Sequence, residues 1–165
     1  MTDAMGPGSH VLYQDFVVPT APSGFVTFSL FIGNGNGSPN FFTPATLDFA
    51  TTALNQQARV DIMLTSANAF SVAAADILQN VYQTPAGAPL VSGYTTFTVD
   101  LTALFLARAG QTLRLRFAEV DNVAPFNFGV DNVDVLAGAV PEPSTWITAF
   151  GAVIGLGLAR RRLKG

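Results

Sequence analysis

The 165-residue chain is poor in groups that do chemistry. It has no cysteine and one histidine, which excludes thiol catalysis, disulfides, cysteine zinc sites and multi-histidine metal sites. His10 stands among Gly and Ser near the N-terminus. A histidine can orient a nucleophilic serine, but these neighbours read as a solvated loop. Glu119 and Asp121 are two apart, which puts them on one face of a strand. Such a pair is the minimum for glycoside hydrolysis, yet nothing in the sequence places either carboxylate in a desolvated cleft. Asp121, Asn122, Asp131 and Asn132 offer side-chain oxygens near a final hairpin, some of the roughly six to eight that Ca²⁺ takes. The same dipeptides also suit a turn at 121–122 and a bulge at 131–132. Gly33-Asn-Gly-Asn-Gly37 lacks the Lys-Ser/Thr pair of a phosphate loop. Sugars stack on exposed Trp or Tyr. Ahead of the tail there is no Trp and only Tyr13, Tyr82 and Tyr94, so no glycan-contacting residue is assigned.

These residues must be held by strands. Val26, Phe28, Leu30 and Ile32 alternate with Thr27, Ser29 and Phe31; Val60, Ile62 and Leu64 alternate with Arg59, Asp61 and Met63; Leu113, Leu115 and Phe117 alternate with Thr112, Arg114 and Arg116. Leu47 and Phe49 flank Asp48 in the same way. Each run predicts a strand with one buried face. Val11–Val18, Ile77–Gln83 and Tyr94–Val99 are further strands. In Asn127–Leu136 the apolar phase changes, and a β-bulge near Asp131-Asn132 restores it. Asp100 as N-cap, Leu101, Leu104 and Phe105 on one face and Gly110 beyond the end predict one short helix. Loops fall at Gly33–Pro39, Thr84–Pro89 and Ser92-Gly93. Many short strands with Gly/Pro-rich turns predict an all-β sandwich over residues 1–136.

Charge divides the chain. Residues 1–139 carry ten acids and four bases; residues 140–165 carry Glu142 against Arg160, Arg161, Arg162 and Lys164. The overall charge of −3 argues against nucleic acid as a partner. Residues 137–145 read as a linker containing Pro141-Glu142-Pro143. Residues 146–159 contain no charge; as a helix of fourteen residues they reach about 21 Å at ~1.5 Å per residue. That is short of a bilayer core of about 30 Å, and snorkelling of Arg160 helps to stretch it. Trp146 suits the outer interface, and Arg160, Arg161 and Arg162 in the basic 160–165 end favour a cytoplasmic C-terminus. Gly151 and Gly155 form a small face that admits a second helix. A sorting signal, a permanent tail anchor and a buried apolar helix all fit this pattern.

Pro141-Glu142-Pro143, the short apolar helix and the terminal arginines, in that order over residues 140–164, resemble the PEP-CTERM sorting signal of Gram-negative, biofilm-forming bacteria. The resemblance implies an exosortase as partner, a transient stay in the inner membrane, and release to the cell surface or an extracellular matrix. Leu12–Phe16, Asn55–Ile62, Gly110–Phe117 and Phe128–Val133 resemble the jelly-roll, carbohydrate-binding-module-like domains of such proteins. This implies a jelly-roll body, with a structural calcium and a strand ahead of Leu12–Phe16 as features of similar domains. Residues 1–10 show neither the basic start nor the apolar stretch of a secretory signal, so a signal peptide and a first strand are expected upstream.

The functional expectation is therefore a non-catalytic, exported β-sandwich sorted by an exosortase, with exopolysaccharide as a contact. The alternatives are a secreted lectin-like module and a glycoside hydrolase.

Overall fold

The computed structural model describes residues 6–19, 23–34, 40–88 and 93–138. Seven strands and one helix follow in the order β1 (Gly8–Val17), β2 (Ser23–Asn34), β3 (Gln56–Leu64), β4 (Ile77–Gln83), β5 (Thr95–Asp100), α1 (Thr102–Arg108), β6 (Thr112–Asp121) and β7 (Phe126–Gly138). They form a four-stranded sheet, β1-β6-β3-β4, and a three-stranded sheet, β5-β2-β7. Every pairing is antiparallel.

The two sheets share one core. Val26, Phe28, Leu30 and Ile32 of β2 meet Val60 and Ile62 of β3 and Leu113, Leu115 and Phe117 of β6, all buried. The period-2 pattern of each run supplies this inner face. Phe28 packs edge-on against Phe117 across the layers, with ring centroids 5.6 Å apart. Tyr82 of β4 meets Phe97 of β5 at 4.8 Å.

The outer face of the four-stranded sheet departs from the expectation of one buried face per strand. β3 is buried through almost its whole length, because the loops at 40–55 and 65–76 lie over it. Buried amides fasten the first loop. Asn55 Nδ2 donates to the carbonyls of Thr46 and Asp48, and Gln57 Nε2 to those of Pro44 and Thr46. Leu47, Ala118 and Val120 form a small second core beneath it. Residues 47–49 are accordingly not a strand. The Thr46 hydroxyl accepts the Asp48 amide, and the Asp48 carboxylate accepts the Ala50 amide, so local side-chain bonds curl this run into turns.

The phase change in the last strand is a bulge at the expected place. Thr27 opposes Asp134 and Ser29 opposes Asp131, so Asn132 and Val133 together face Phe28. Asn132 takes a φ of 50°, a left-handed conformation that Asn tolerates better than most residues. The phase slip puts Val130 and Val135 on the same core.

Helix α1 starts one residue later than predicted, at Thr102, whose amide is accepted by the Asp100 carboxylate. It seats Leu101 and Phe105 in the core, and Gly110 ends the turn with a φ of 76°. The predicted 137–145 linker is shortened at its start, since β7 runs to Gly138. The predicted 146–159 membrane helix and the 160–165 end lie outside the described residues. Among the described residues, no helix is long and apolar enough to cross a membrane.

Candidate functional site

The sorting residues Pro141, Glu142 and Pro143 lie outside the described residues, as do Trp146, Gly151, Gly155, Arg160, Arg161 and Arg162. The body presents three arrangements of polar groups.

The first lies on the inner face at one end. His10 is in β1 rather than in a loop, opposite Glu119 of β6. Its Nδ1 stands 3.1 Å from Glu119 Oε1; the imidazole is half exposed and the carboxylate buried. Glu119 and Asp121 do share one face, as their spacing requires, and both are buried. Asp121 accepts the Gly8 amide at 2.8 Å, tying the start of β1 to the end of β6. Ser9 points to the opposite face, where its hydroxyl donates to the Leu47 carbonyl, so it is not beside His10.

The calcium quartet is split between the sheets. Asn122 Nδ2 donates to the carbonyls of Phe49, Thr51 and Ala53, and its Oδ1 accepts the Asn55 amide. It fastens the 49–55 turn. Asp131 and Asn132 are exposed on the three-stranded sheet, where Asp131 Oδ1 accepts the Asn132 amide. β6 and β7 pair with different neighbours. The expected final hairpin is instead a crossing from one sheet to the other, and it does not bring Asp121 and Asp131 together. Among the described residues, no three His, Asp or Glu side chains gather where they could hold a metal ion.

The second arrangement was hidden in the sequence. Arg59, Asp61 and Arg116 alternate with apolar residues and read as a solvated face, but the covering loops bury all three. Arg59 donates through Nε and Nη2 to the two Asp61 oxygens, at 2.8 and 2.7 Å. Arg116 Nη2 bonds the same carboxylate, and Asn80 Nδ2 donates to it at 2.8 Å. Arg116 Nη1 reaches over the sheet to the carbonyls of Ala69 and Ser71. Burial pushes the Arg116 guanidinium down from its usual range, and Asp61 opposes that shift. Every Asp61 oxygen is occupied by neighbours, so the cluster fastens the 65–76 loop instead of presenting a reactive group. At the open end of the same face, Arg114 grips Asp15 at 2.7 and 3.0 Å and lies 4.0 Å over the Tyr13 ring.

The third arrangement is a groove of about 350 Å³ between the two covering loops, lined by Ser9, Thr46, Asp48, Phe49, Phe70 and Val72 among others. Phe49 is 44% and Phe70 43% exposed. No sequence signal pointed here, because the two phenylalanines are 21 positions apart in loops and meet only through the fold.

Residues 139–162 match the PEP-CTERM protein-sorting motif. No curated protein matches the chain.

Proposed function

We infer that the sorting motif marks an exported protein recognised by an exosortase. We propose that the body is a non-catalytic module of jelly-roll type, retained at the cell surface or in an exopolysaccharide matrix after an exosortase has processed the tail and released the body from the inner membrane. The motif at 139–162 carries this reading. The body supports it, because Arg59, Asp61 and Arg116 on its outer face are spent on one another and on fastening a loop. The experiment replaces Pro141, Glu142 and Pro143 by Ala in an exosortase-positive host. A full-length, membrane-bound precursor is expected; unchanged processing and release would overturn the reading.

The groove between Phe49 and Phe70 favours a second reading, a glycan-binding module. Two exposed rings offer apolar platforms for sugar C–H faces, with Ser9, Thr46 and Asp48 as polar neighbours. A glycan array probed with the body and with its Phe49→Ala/Phe70→Ala variant tests this. Binding lost in the variant supports it, and an array blank for both proteins refutes it.

A further inference from the structure

The two turns that carry Phe49 and Phe70 are fastened from below. Asn122 donates to the Phe49 carbonyl, Asn55 and Gln57 donate to the Thr46 carbonyl, and the Ser9 hydroxyl donates to the Leu47 carbonyl. Across the groove, Arg116 holds the carbonyls of Ala69 and Ser71, one on each side of Phe70, and the Asn68 side chain accepts the Phe70 amide. Leu47 and Val72 line the groove and also pack in the small second core. The groove is therefore pre-formed, and little freedom is lost when a ligand enters it.

Its charge is one-sided. Asp48 is exposed, and only its Oδ1 is engaged, by the Ala50 amide. The Ser9 hydroxyl has spent its proton on Leu47 and offers lone pairs. Among the described residues no base lines the groove. The arginines of the body are engaged elsewhere: Arg59 and Arg116 on Asp61, Arg114 on Asp15, and Arg108 on Gln111. Arg116 reaches the Phe70 loop, but there two guanidiniums, Arg59 and Arg116, meet two carboxylates, Asp61 and Asp76, the latter accepting the Ser71 hydroxyl. Ten acids against four bases over residues 1–139 add a negative field around the site. A ligand that fits must donate hydrogen bonds and carry no negative charge. An ammonium is a pure donor, pairs with a carboxylate, and is attracted to the face of a Phe ring. A uronate carboxylate is a pure acceptor and is repelled. Resting on the glycan-binding reading of this groove, we propose that its ligand is an amino sugar with a free amine. The ammonium lies beside Asp48, the sugar ring stacks on Phe49 or Phe70, and acidic saccharides are rejected. The surplus acids of the body draw a cationic polymer toward the groove and hold off an anionic one.

The test is calorimetric titration of the full chain in mild detergent with oligosaccharides that differ in one substituent: hydroxyl, free amine, acetamide or carboxylate. At about pH 6 the amine is protonated. The amine form should bind roughly fivefold to tenfold tighter than the hydroxyl form, the combined effect of one exposed ion pair and one cation–ring contact. The carboxylate form should bind weakest, and added salt should shrink the spread. Asp48→Asn keeps an oxygen to accept the Ala50 amide and removes the charge. It should bring the amine form down to the hydroxyl form while leaving the hydroxyl form unchanged. Equal or tighter binding of the carboxylate form would overturn the proposal and leave the glycan reading standing. An amine preference that survives in Asp48→Asn would overturn it as well, since the cation would then be recognised elsewhere. A lysine oligomer bound as tightly as the amine sugar would show a cation site without sugar recognition, which also overturns it. No binding of any saccharide would overturn the glycan reading itself, and the proposal with it.

Discussion

Asp61 is the residue on which the outer face of the four-stranded sheet depends. It is fully buried and accepts bonds from Arg59, Arg116 and Asn80. Its removal leaves two buried guanidiniums without a counter-charge. Breaking a buried pair in this way costs about 3–5 kcal/mol, so Asp61→Ala should lower the urea midpoint sharply, while Asp48→Ala, which loses one bond on an exposed turn, should lower it far less. Asp15 behaves differently because it is partly exposed. Its bond to Arg114 holds its carboxyl below the usual carboxylate range. A folded value below the unfolded one gives stability that is present above the unfolded pKa, near 3.8, and lost as pH falls through the folded value. Asp15→Asn should therefore cost about 0.2–1 kcal/mol at pH 6, the range of exposed ion pairs. The two proteins should converge in stability below pH 3.8, read by thermal melts across that range.

At the scale of elements, β7 is held to β2 through a close backbone approach at one end. A Cβ on Gly24 would sit on the Leu136 carbonyl oxygen and 3.1 Å from the Phe105 ring. The glycine is required by contact with β7 and α1 together, since its neighbour Leu136 follows the bulge. Gly24→Ala should destabilise by about 1–3 kcal/mol, as overpacking generally does. Hydrogen exchange should localise the loss to β7 and α1; uniform exchange change across both sheets would contradict this account. The bulge itself was readable because apolar residues change parity between Val130 and Val133. The turn at 47–49 was not, because Leu47-Asp48-Phe49 alternates like a strand and only the bonds of Thr46 and Asp48 to nearby amides decide otherwise.

For the whole molecule, the body and the tail have separate tasks. The body carries ten of the eleven acids, and the tail carries four of the eight bases within its last six residues. Cations beyond an apolar segment hold the cytoplasmic end. Replacing Arg160, Arg161 and Arg162 by Ser should weaken retention of the precursor in the membrane, measured as a larger soluble precursor fraction on carbonate extraction. The melting temperature of the isolated body should be the same whether the arginines were present in its precursor or not.

The sequence by itself determined the strands, the bulge, the short helix and the sorting segment. Each is local: a period of two, a change of parity, a cap with its glycine, or three features in order along the chain. Tertiary structure decided what each exposed-looking residue does. Arg59, Asp61 and Arg116 became buried because loops distant in sequence fold over them. Asp121 and Asp131 parted because β6 and β7 joined different sheets. Phe49 and Phe70 met across a groove. Periodicity reports which residues of a strand share a face. What lies opposite that face depends on strand order and loop path, which are set by contacts between segments far apart along the chain.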